Sequence, residues 1–410
     1  MKRAYDFVIT GAGPAGLSAA IVAARRGLNA VVIEKGKTAG PRPRGEGVNR
    51  YPLLDSLLGD DYFETKCFKM DGSAVYHSPG NKQQVTLPGK KPLYFFEWRD
   101  FIERLVDTAE KLAVTFLYQT EVVRPVEENG RCVGVEYKDQ HGQFGKIFGN
   151  SILACDGHKS ALGTHYGIHY EDLSCAMIKC LLGNANIDID KTPELQFYLI
   201  GNGDLAYEPR FPQCVAYGFP TGGRKMEVGL MLRMSQSAKM KRTLDRPDSK
   251  TFFQVWENLK RSWPGFSDYF TGATIEHEEI TGLSNAGMVR NVVPEKGLVL
   301  IGDSAGFIDP FGSSGLYSAM AMAEFWVTMI SDKWQDLSGV RAGEQHVEAL
   351  WAPATVVSYK KQFKKTRIYK KIKGSYSLIG KFEWFIFKFL RTGRRINKRW
   401  KLISWLLKTA

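Results

Sequence analysis

Cysteine is scarce in this 410-residue chain: six residues, Cys67, Cys132, Cys155, Cys175, Cys180 and Cys214, with no C-x-x-C pair and no zinc spacing. That scarcity excludes a disulfide scaffold and a structural zinc module, so reduced, mostly buried thiols and no metal site are expected. Uncharged apolar runs of about 18 residues are missing too, which argues against a membrane-spanning helix. The first apolar stretch has the character of a strand and not of a secretory leader, so a cytoplasmic location is expected. The seven histidines are scattered, and no internal repeat is visible. Acid is nearly absent from the C-terminal tail. Residues 360–410 hold seventeen Lys or Arg against the single acid Glu383, while the whole chain carries +13, so the first 359 residues sit at −3. Otherwise the composition, 44% hydrophobic and 24% charged, is that of a globular protein long enough for two or more domains.

Glycine is concentrated at the start, in Gly11, Gly13 and Gly16. They follow an apolar strand, Phe7-Val8-Ile9, and open a helix expected over 14–26; a second strand, Ala30–Ile33, ends on Glu34. Strand, G-x-G-x-x-G, helix, strand and acid form the βαβ arrangement that holds the ADP half of a dinucleotide. Gly11 permits the tight turn, Gly13 lets backbone approach a pyrophosphate, and Gly16 lets helix and strand pack closely. The helix N-terminus directs unpaired N–H groups at the phosphates. Glu34 is placed to accept hydrogen bonds from ribose hydroxyls.

Further along, the Pro- and Gly-dense stretch 36–49 is expected to be a long loop without regular structure. Spacing predicts an amphipathic helix over 97–113, a strand over 114–117 and a β-meander built from 121–126, 131–137 and 144–148. A separate strand over 151–155 runs into Asp156-Gly157. Residues 166–282 alternate strand-like runs with turns, as a second sheet domain would. Another strand, 298–301, runs into Gly302-Asp303-Ser304-Ala305, and a helix is expected over 315–330.

Three motifs, G-A-G-P-A-G at 11–16, C-D-G-H-K-S at 155–160 and G-D-S-A-G-F-I-D-P-F-G-S-S-G at 302–315, resemble in order and spacing those of the p-hydroxybenzoate hydroxylase-type flavoproteins. The last is most similar to the geranylgeranyl reductase family, with flavin-dependent halogenases as relatives, and the resemblance covers residues 1–335. It implies an α/β fold: a Rossmann-type FAD-binding domain (1–65, 96–165 and 283–335) with an inserted antiparallel-sheet substrate domain (66–95 and 166–282). A basic helical region, 336–410, follows. FAD is the implied cofactor. Asp303 would hydrogen-bond its ribityl chain, although an aspartate there also suits a helix N-cap. Pro310, Gly312 and Gly315 would let backbone approach the isoalloxazine, and the helix opening at Gly315 and Leu316 would stabilise the anionic reduced ring. Arg99 matches the family arginine for the pyrophosphate. Pro14, Ala15, Lys35, Gly45, Val123, Asp156, Gly157 and Gly302 complete the implied FAD contacts. Arg44 and Glu46 either border the flavin or form a solvated surface pair.

Two departures limit what the resemblance carries. The arginine usual after the D-G pair is missing, with Gly163 following Leu162, which weakens a nicotinamide role for that motif. The family's Y-x-W-x-F-P motif appears as Val215-Ala216-Tyr217-Gly218-Phe219-Pro220, with Gly229 after eight intervening residues. Tyr217, Phe219 and Pro220 are the implied catalytic-cavity residues; for Tyr217, packing alone is the alternative. The W-x-W-x-I-P signature of halogenases is absent, so halogenation is not expected. No unmistakable proton donor is visible. The implied activity is FAD-dependent reduction of C=C bonds in an isoprenoid or prenyl lipid, with NAD(P)H or a ferredoxin-like protein as electron donor. A flavin monooxygenase acting on an aromatic or lipid substrate is the competing enzyme, and a non-catalytic binder the third reading. In the tail, aromatics such as Phe382, Trp384, Trp400 and Trp405 interleave with cations at helical spacing. That pattern suits an interfacial helix on an anionic membrane surface through residues 360–410, on the inner face of the cytoplasmic membrane. A solvated charged face packing one apolar stripe is the alternative, and no specific nucleic acid is expected.

Overall fold

The computed structural model describes residues 5–40, 44–168, 173–187, 194–201, 214–233, 249–284, 297–309, 315–338, 344–377 and 392–409. Its first sheet contains β1 (Tyr5–Thr10), whose Phe7, Val8 and Ile9 are buried in the core that packs on the faces of the sheet. Helix α1 (Pro14–Arg25) follows, opened by proline at its first position, and β2 (Ala30–Ile33) is buried throughout. Among the described residues the sheet runs β8 (Thr115–Leu117), β2, β1, β11 (Phe144–Ala154), with β17 (Leu298–Leu300) parallel to β11 on its far side. The meander of β9 (Glu121–Glu128) and β10 (Arg131–Lys138) extends the same sheet.

Strand β11 corrects the sequence expectation. The two separate strands expected at 144–148 and 151–155 are one eleven-residue strand. Its first half pairs antiparallel with β10, Gly134 opposite Phe148, and its second half pairs parallel with β1, Phe7 opposite Ser151. Loop 36–49 is also not wholly irregular. Gly45–Val48 forms β3, antiparallel to β7 (Leu93–Glu97), with Gly47 leaving room for the Phe95 ring. The partner that turns this segment into a strand lies some fifty residues away, beyond the reach of any local pattern. Strand β4 (Phe68–Met70) completes this small sheet, and α2 (Pro52–Leu58), α3 (Tyr62–Thr65) and α4 (Trp98–Lys111) pack beside it. Short helix α5 (Ala161–His165) follows the Asp156-Gly157 turn.

A second seven-stranded sheet runs β16 (Thr274–Ser284), β12 (Leu173–Gly183), β15 (Lys225–Arg233), β14 (Cys214–Gly222), β13 (Leu195–Ile200), β5 (Ala74–His77), β6 (Gln84–Leu87). One face packs on α6 (Ser249–Ser262), a helix absent from the strand-and-turn expectation for 166–282. Its buried Phe252, Val255, Trp256 and Leu259, continued by Trp263, have helical spacing, so the signal was present in the sequence. The opposite face meets β3 and β7 of the small sheet.

The C-terminal third returns to the first core. Helix α7 (Leu316–Ser338) lies on α1. After α8 (Glu344–Leu350), helix α9 (Pro353–Lys365) inserts Phe363 among Phe307, Phe325 and Trp326, with ring centroids 5.5, 5.4 and 5.1 Å away. Ile372 is buried in the same cluster. The basic region from Lys360 is therefore, in its first part, core-forming chain whose cations occupy the outward face.

Helices α10 (Gly393–Lys398) and α11 (Trp400–Thr409) dock elsewhere, on the second sheet. Ile396, Trp400 and Ile403 bury against Val85, Tyr76, Leu87 and Leu199, and Asn397 Nδ2 donates to the Pro79 carbonyl at 3.0 Å. The expected interfacial helix thus turns much of its apolar stripe inward, as the solvated-face alternative had it. Lys401, Leu402, Trp405 and Lys408 remain on its exposed side. The aromatic run 382–390 lies outside the described residues, and no helix among the described residues is long and apolar enough to cross a membrane.

Emptying the Trp400 site removes the largest side chain holding α11 to the sheet, at about 3–5 kcal/mol for full truncation of a buried aromatic. Trp400→Ala is expected to speed proteolytic cleavage within 392–409 while the main cooperative unfolding transition stays in place; urea denaturation run beside timed proteolysis reads both.

Candidate functional site

The glycine-rich turn is held by contacts that tolerate no side chain. Gly11 has φ +90°, and a Cβ there would stand 2.6 Å from the Cys155 carbonyl oxygen. A Cβ on Gly16 would stand 2.0 Å from the Gly11 oxygen, so α1 crosses the turn backbone to backbone. Gly13, the N-cap of α1, has extended geometry, and a Cβ on it would meet nothing within 4 Å. The second glycine therefore faces open space beside the first-turn amides of Ala15 and Gly16, which lack intrahelical partners by the geometry of any helix. Pro14 supplies no competing donor.

Glu34 is buried and braces this turn. Its Oε2 accepts from the Ala12 amide at 2.8 Å and its Oε1 from the Gly36 amide at 2.7 Å. The carboxylate expected to face ribose hydroxyls thus already holds two backbone amides, and each oxygen keeps one further lone pair. Beside it, Lys35, Gln119, Glu121, Lys138 and the turn Asp139–Gly142 line a cleft of about 590 Å³. Val123, two residues along β9 from Glu121, is exposed.

The second motif packs on the first, with the Asp156 Cα 3.0 Å from where a Gly11 Cβ would lie. Asp156 Oδ2 accepts from the Ala161 amide at 3.1 Å at the start of α5, whereas its Oδ1 is buried without a hydrogen-bond partner. Burial pushes this carboxyl up to about 6, against the pull of Ser160, the Ala161 amide and Lys35. Gly157, at φ +79°, again faces open space. Gly13, Gly157 and the orphaned Asp156 oxygen make the cradle that a dinucleotide's phosphates and ribose fit. Gly163, where an arginine was missed, is buried inside α5.

The third motif closes the other side. Gly302, at φ +69°, sits against Ala319 of α7 and Ala15 of α1. Asp303 belongs to a single 3-10 turn, Gly302–Ala305, and its Oδ1 lies 3.0 Å from the position of a Gly315 Cβ, at the mouth of α7. Burial raises its pKa; Arg44 and Lys179 oppose that and Glu46 adds to it. Leu316 turns its side chain into the core, so its backbone alone is available to a ligand. Pro310 and Gly312 lie outside the described residues.

Arg44 is not part of a solvated pair. Its guanidinium lies 3.7 Å from the Trp98 ring centroid and 3.5 Å from Glu46, both charged groups being about three-quarters covered. Arg99, the neighbour of Trp98, is exposed at the second position of α4.

On the second sheet, strand alternation sorts the expected cavity residues. Tyr217 and Phe219 share one face with Met177, Phe197 and Met231. Phe219 packs 4.9 Å from Phe95 of β7, and a Cβ on Gly229 would stand 2.5 Å from the Tyr217 hydroxyl, so the ring covers the glycine. Pro220 has the other parity, opposite Met226 of the α6 core, which corrects its placement with the cavity residues. Two residues that the motif reading missed share the Tyr217 face. Lys179 stands opposite Gly229, and Glu227, opposite Phe219 and Leu181, is 1% exposed. Glu227 Oε2 accepts from the Gly45 amide at 3.0 Å, and its Oε1 accepts from the Tyr217 hydroxyl at 3.4 Å. Gly45 is required there, because a Cβ would stand 2.3 Å from Thr221 and 2.8 Å from Glu227. A lone acid inside the apolar run Met226–Leu232 was the available signal.

A family model described as an FAD binding domain matches residues 4–325. Digeranylgeranylglycerophospholipid reductase 2 of Methanococcoides burtonii is 26% identical over 326 residues, covering 78% of this chain and 73% of that protein. The digeranylgeranylglycerophospholipid reductase of Picrophilus torridus is 28% identical over 337 residues, covering 79% and 77%. A geranylgeranyl bacteriochlorophyll reductase-like structure from Thermoplasma acidophilum superimposes with TM-score 0.70 at 21% identity, covering 91% of this chain and 86% of that one. A flavin-dependent brominase variant superimposes with TM-score 0.64 at 16% identity, covering 98% and 94%. At these identities the two structures show the shared fold.

Two substitutions separate ligand contact from packing. Gly13→Ala is expected to leave the ligand-free fold within about 1 kcal/mol of wild type and to weaken FAD binding at least about tenfold, or 1.4 kcal/mol. Gly16→Ala, whose Cβ collides with backbone, is expected to destabilise the ligand-free protein itself; fluorescence titration with FAD and urea melts distinguish the two. For Asp156 the raised pKa means that the unfolded chain releases this proton first as pH climbs. Its contribution is full below about 3.8 and is lost as pH rises through about 6. In FAD-free protein, Asp156→Asn is expected to flatten that part of the stability-versus-pH curve.

Proposed function

Because the chain belongs to the FAD binding domain family and is an FAD-dependent oxidoreductase of the geranylgeranyl reductase type, we propose that it reduces C=C bonds of a prenyl lipid at a membrane surface. The observation that carries this reading is the face bearing Met177, Phe197, Tyr217, Phe219 and Met231. It is an apolar wall directed at the small sheet, whose β3 follows directly on Arg44, one of the charges that act on Asp303. A flexible hydrocarbon needs a wall of that kind: aromatic rings and thioethers that cover it without demanding hydrogen bonds.

Bound FAD supplies the hydride chemistry. The residues of this chain hold, orient and shield. Gly13, Gly157 and the first turn of α1 would receive the pyrophosphate, with Glu34 holding the Ala12 amide of the same turn in place. Asp303 takes the ribityl hydroxyls, and the backbone at Gly315 and Leu316 presents the positive end of α7 to the isoalloxazine. Arg44, clamped on Trp98, keeps a positive charge near Asp303 while shielded from water. Tyr217 and Phe219 exclude water from the reacting bond.

The surface reading is supported by Arg394 and Lys398 of α10 and by Lys401, Leu402, Trp405 and Lys408 of α11, all exposed. Cations with an aromatic and a leucine between them suit an anionic leaflet, each cation contributing about 1 kcal/mol. The relatives named for digeranylgeranylglycerophospholipid reduction support a lipid substrate.

Dithionite-reduced enzyme is expected to saturate a prenyl lipid under strict anaerobiosis, followed by mass spectrometry of the lipid. Turnover that demands O₂ would instead establish the monooxygenase reading. Replacing Arg394, Lys398, Lys401 and Lys408 together by Gln is expected to reduce co-sedimentation with phosphatidylglycerol vesicles by at least about tenfold. Undiminished binding would remove the membrane part of the proposal. Deleting everything beyond residue 359 is unsuitable for this test, since Phe363 and Ile372 belong to the core.

A further inference from the structure

An acid in the interior of an apolar wall needs a reason. Glu227 is 1% exposed, and its partners are the Gly45 amide at 3.0 Å and the Tyr217 phenol at 3.4 Å. Neither is a cation in contact, so an ionised carboxylate here would be stripped of water with little compensation. The charged groups facing it come from two elements. Lys179 lies on β12, Arg44 and Glu46 lie at the start of β3, and Tyr217 on β14 is the neutral neighbour. Cys180 senses the same carboxyl from the reverse side of β12. Burial outweighs Lys179 and Arg44, and Glu227 keeps its proton up to about 7. The other nearby carboxyls have different surroundings, since Glu46 is paired with Arg44 and Asp303 lies at the mouth of α7.

Saturating a C=C bond breaks the π bond and forms two C–H bonds. One carbon receives hydride, with both electrons, from the reduced FAD, and the other must receive a proton. We infer that Glu227 is the source of that proton and that the Tyr217 hydroxyl relays it to the substrate carbon. Tyr217, on the face it shares with Met177, Phe197 and Phe219, gives its phenolic proton to the carbon, and the Glu227 carboxyl returns one to the phenolate oxygen. The resulting carboxylate takes a proton from water before the next turnover. Rotation of the hydroxyl suffices to reverse its hydrogen bond with Oε1. Gly45 fixes the carboxyl by its other oxygen, and Gly229 gives the phenol its place over the sheet. This assignment rests on the reductase reading and adds the acid that reading lacked.

Single-turnover reduction of a prenyl lipid by dithionite-reduced holoenzyme, followed against pH, tests it. Wild type is expected to slow as pH rises through about 7, because the reservoir is then empty. Glu227→Gln, which still accepts from Gly45, is expected to lose about 10²-fold or more in rate along with that pH dependence, and Glu227→Asp to recover part of both. Tyr217→Phe is expected to lose a similar factor while keeping its ring over Gly229. FAD content and the rate of FAD reduction by dithionite are expected to match wild type in each variant. Infrared titration gives a readout apart from turnover: a protonated-carboxyl band that disappears near pH 7 in wild type and in Tyr217→Phe, and is missing from Glu227→Gln. Wild-type rate and pH profile in Glu227→Gln, or an unchanged band, would overturn the relay. A wild-type enzyme that reduces no prenyl lipid while retaining the band fails at the reductase reading instead.

Discussion

A helix resting on a carbonyl with no side chain between them governs the architecture around the cofactor groove. Gly16 lies over the Gly11 oxygen, and Gly11 lies over the Cys155 carbonyl and the Asp156 Cα. Those two approaches bring the end of β1, the start of α1 and the turn after β11 into one knot of backbone. Gly302 adds the fourth member, wedged between Ala15 and Ala319. Three motifs far apart in sequence meet because Gly11, Gly16 and Gly302 bring no Cβ to the contacts. Once they meet, Gly13 and Gly157 are left facing empty space, as the polar backbone of a phosphate cradle must. Glu34 secures the arrangement from below by holding the Ala12 and Gly36 amides.

The second constraint lies where the second large sheet meets the small one. A substrate wall for hydrocarbon must be apolar, yet reduction needs a proton. In the proposed reaction one buried acid, kept neutral by its environment, would meet both needs. Glu227 is anchored by an amide from β3 and backed by a phenol, and the charges of Arg44, Glu46 and Lys179 act from further off. Gly45 couples this acid to the cofactor side, because the loop that positions Arg44 on Trp98 also donates the hydrogen bond to Glu227. A change at Arg44 would therefore reach Glu227 through the Gly45 amide.

Charge and packing are also combined in the C-terminal region. Phe363 and Ile372 complete the core around Trp326, and Ile396, Trp400 and Ile403 bind the last helices to the β5–β6 edge of the second sheet. The cations between them are left on the outside. Helix α11, which carries exposed cations on one side, is thus tied by its other side to the second sheet.

Glycine spacing needs no partner to be interpreted. Left-handed backbone and the absence of a Cβ are local properties, which is why the βαβ unit and the FAD-binding family were legible along the chain. The 3.6-residue period likewise marks α4, and it is present in α6 as well. Strand β3 could not be read that way, because its ladder is supplied by β7, nor could the fusion of two strands into β11, whose halves serve different partners. Pro220 fell on the α6 side of the sheet, and Glu227 on the Tyr217 side, through cross-strand register, since a side chain's face in a sheet depends on which strand lies opposite. The direction of the α11 apolar stripe has the same origin: amphipathicity is written in sequence, but whether that stripe meets lipid or protein depends on the surface the rest of the chain brings beneath it.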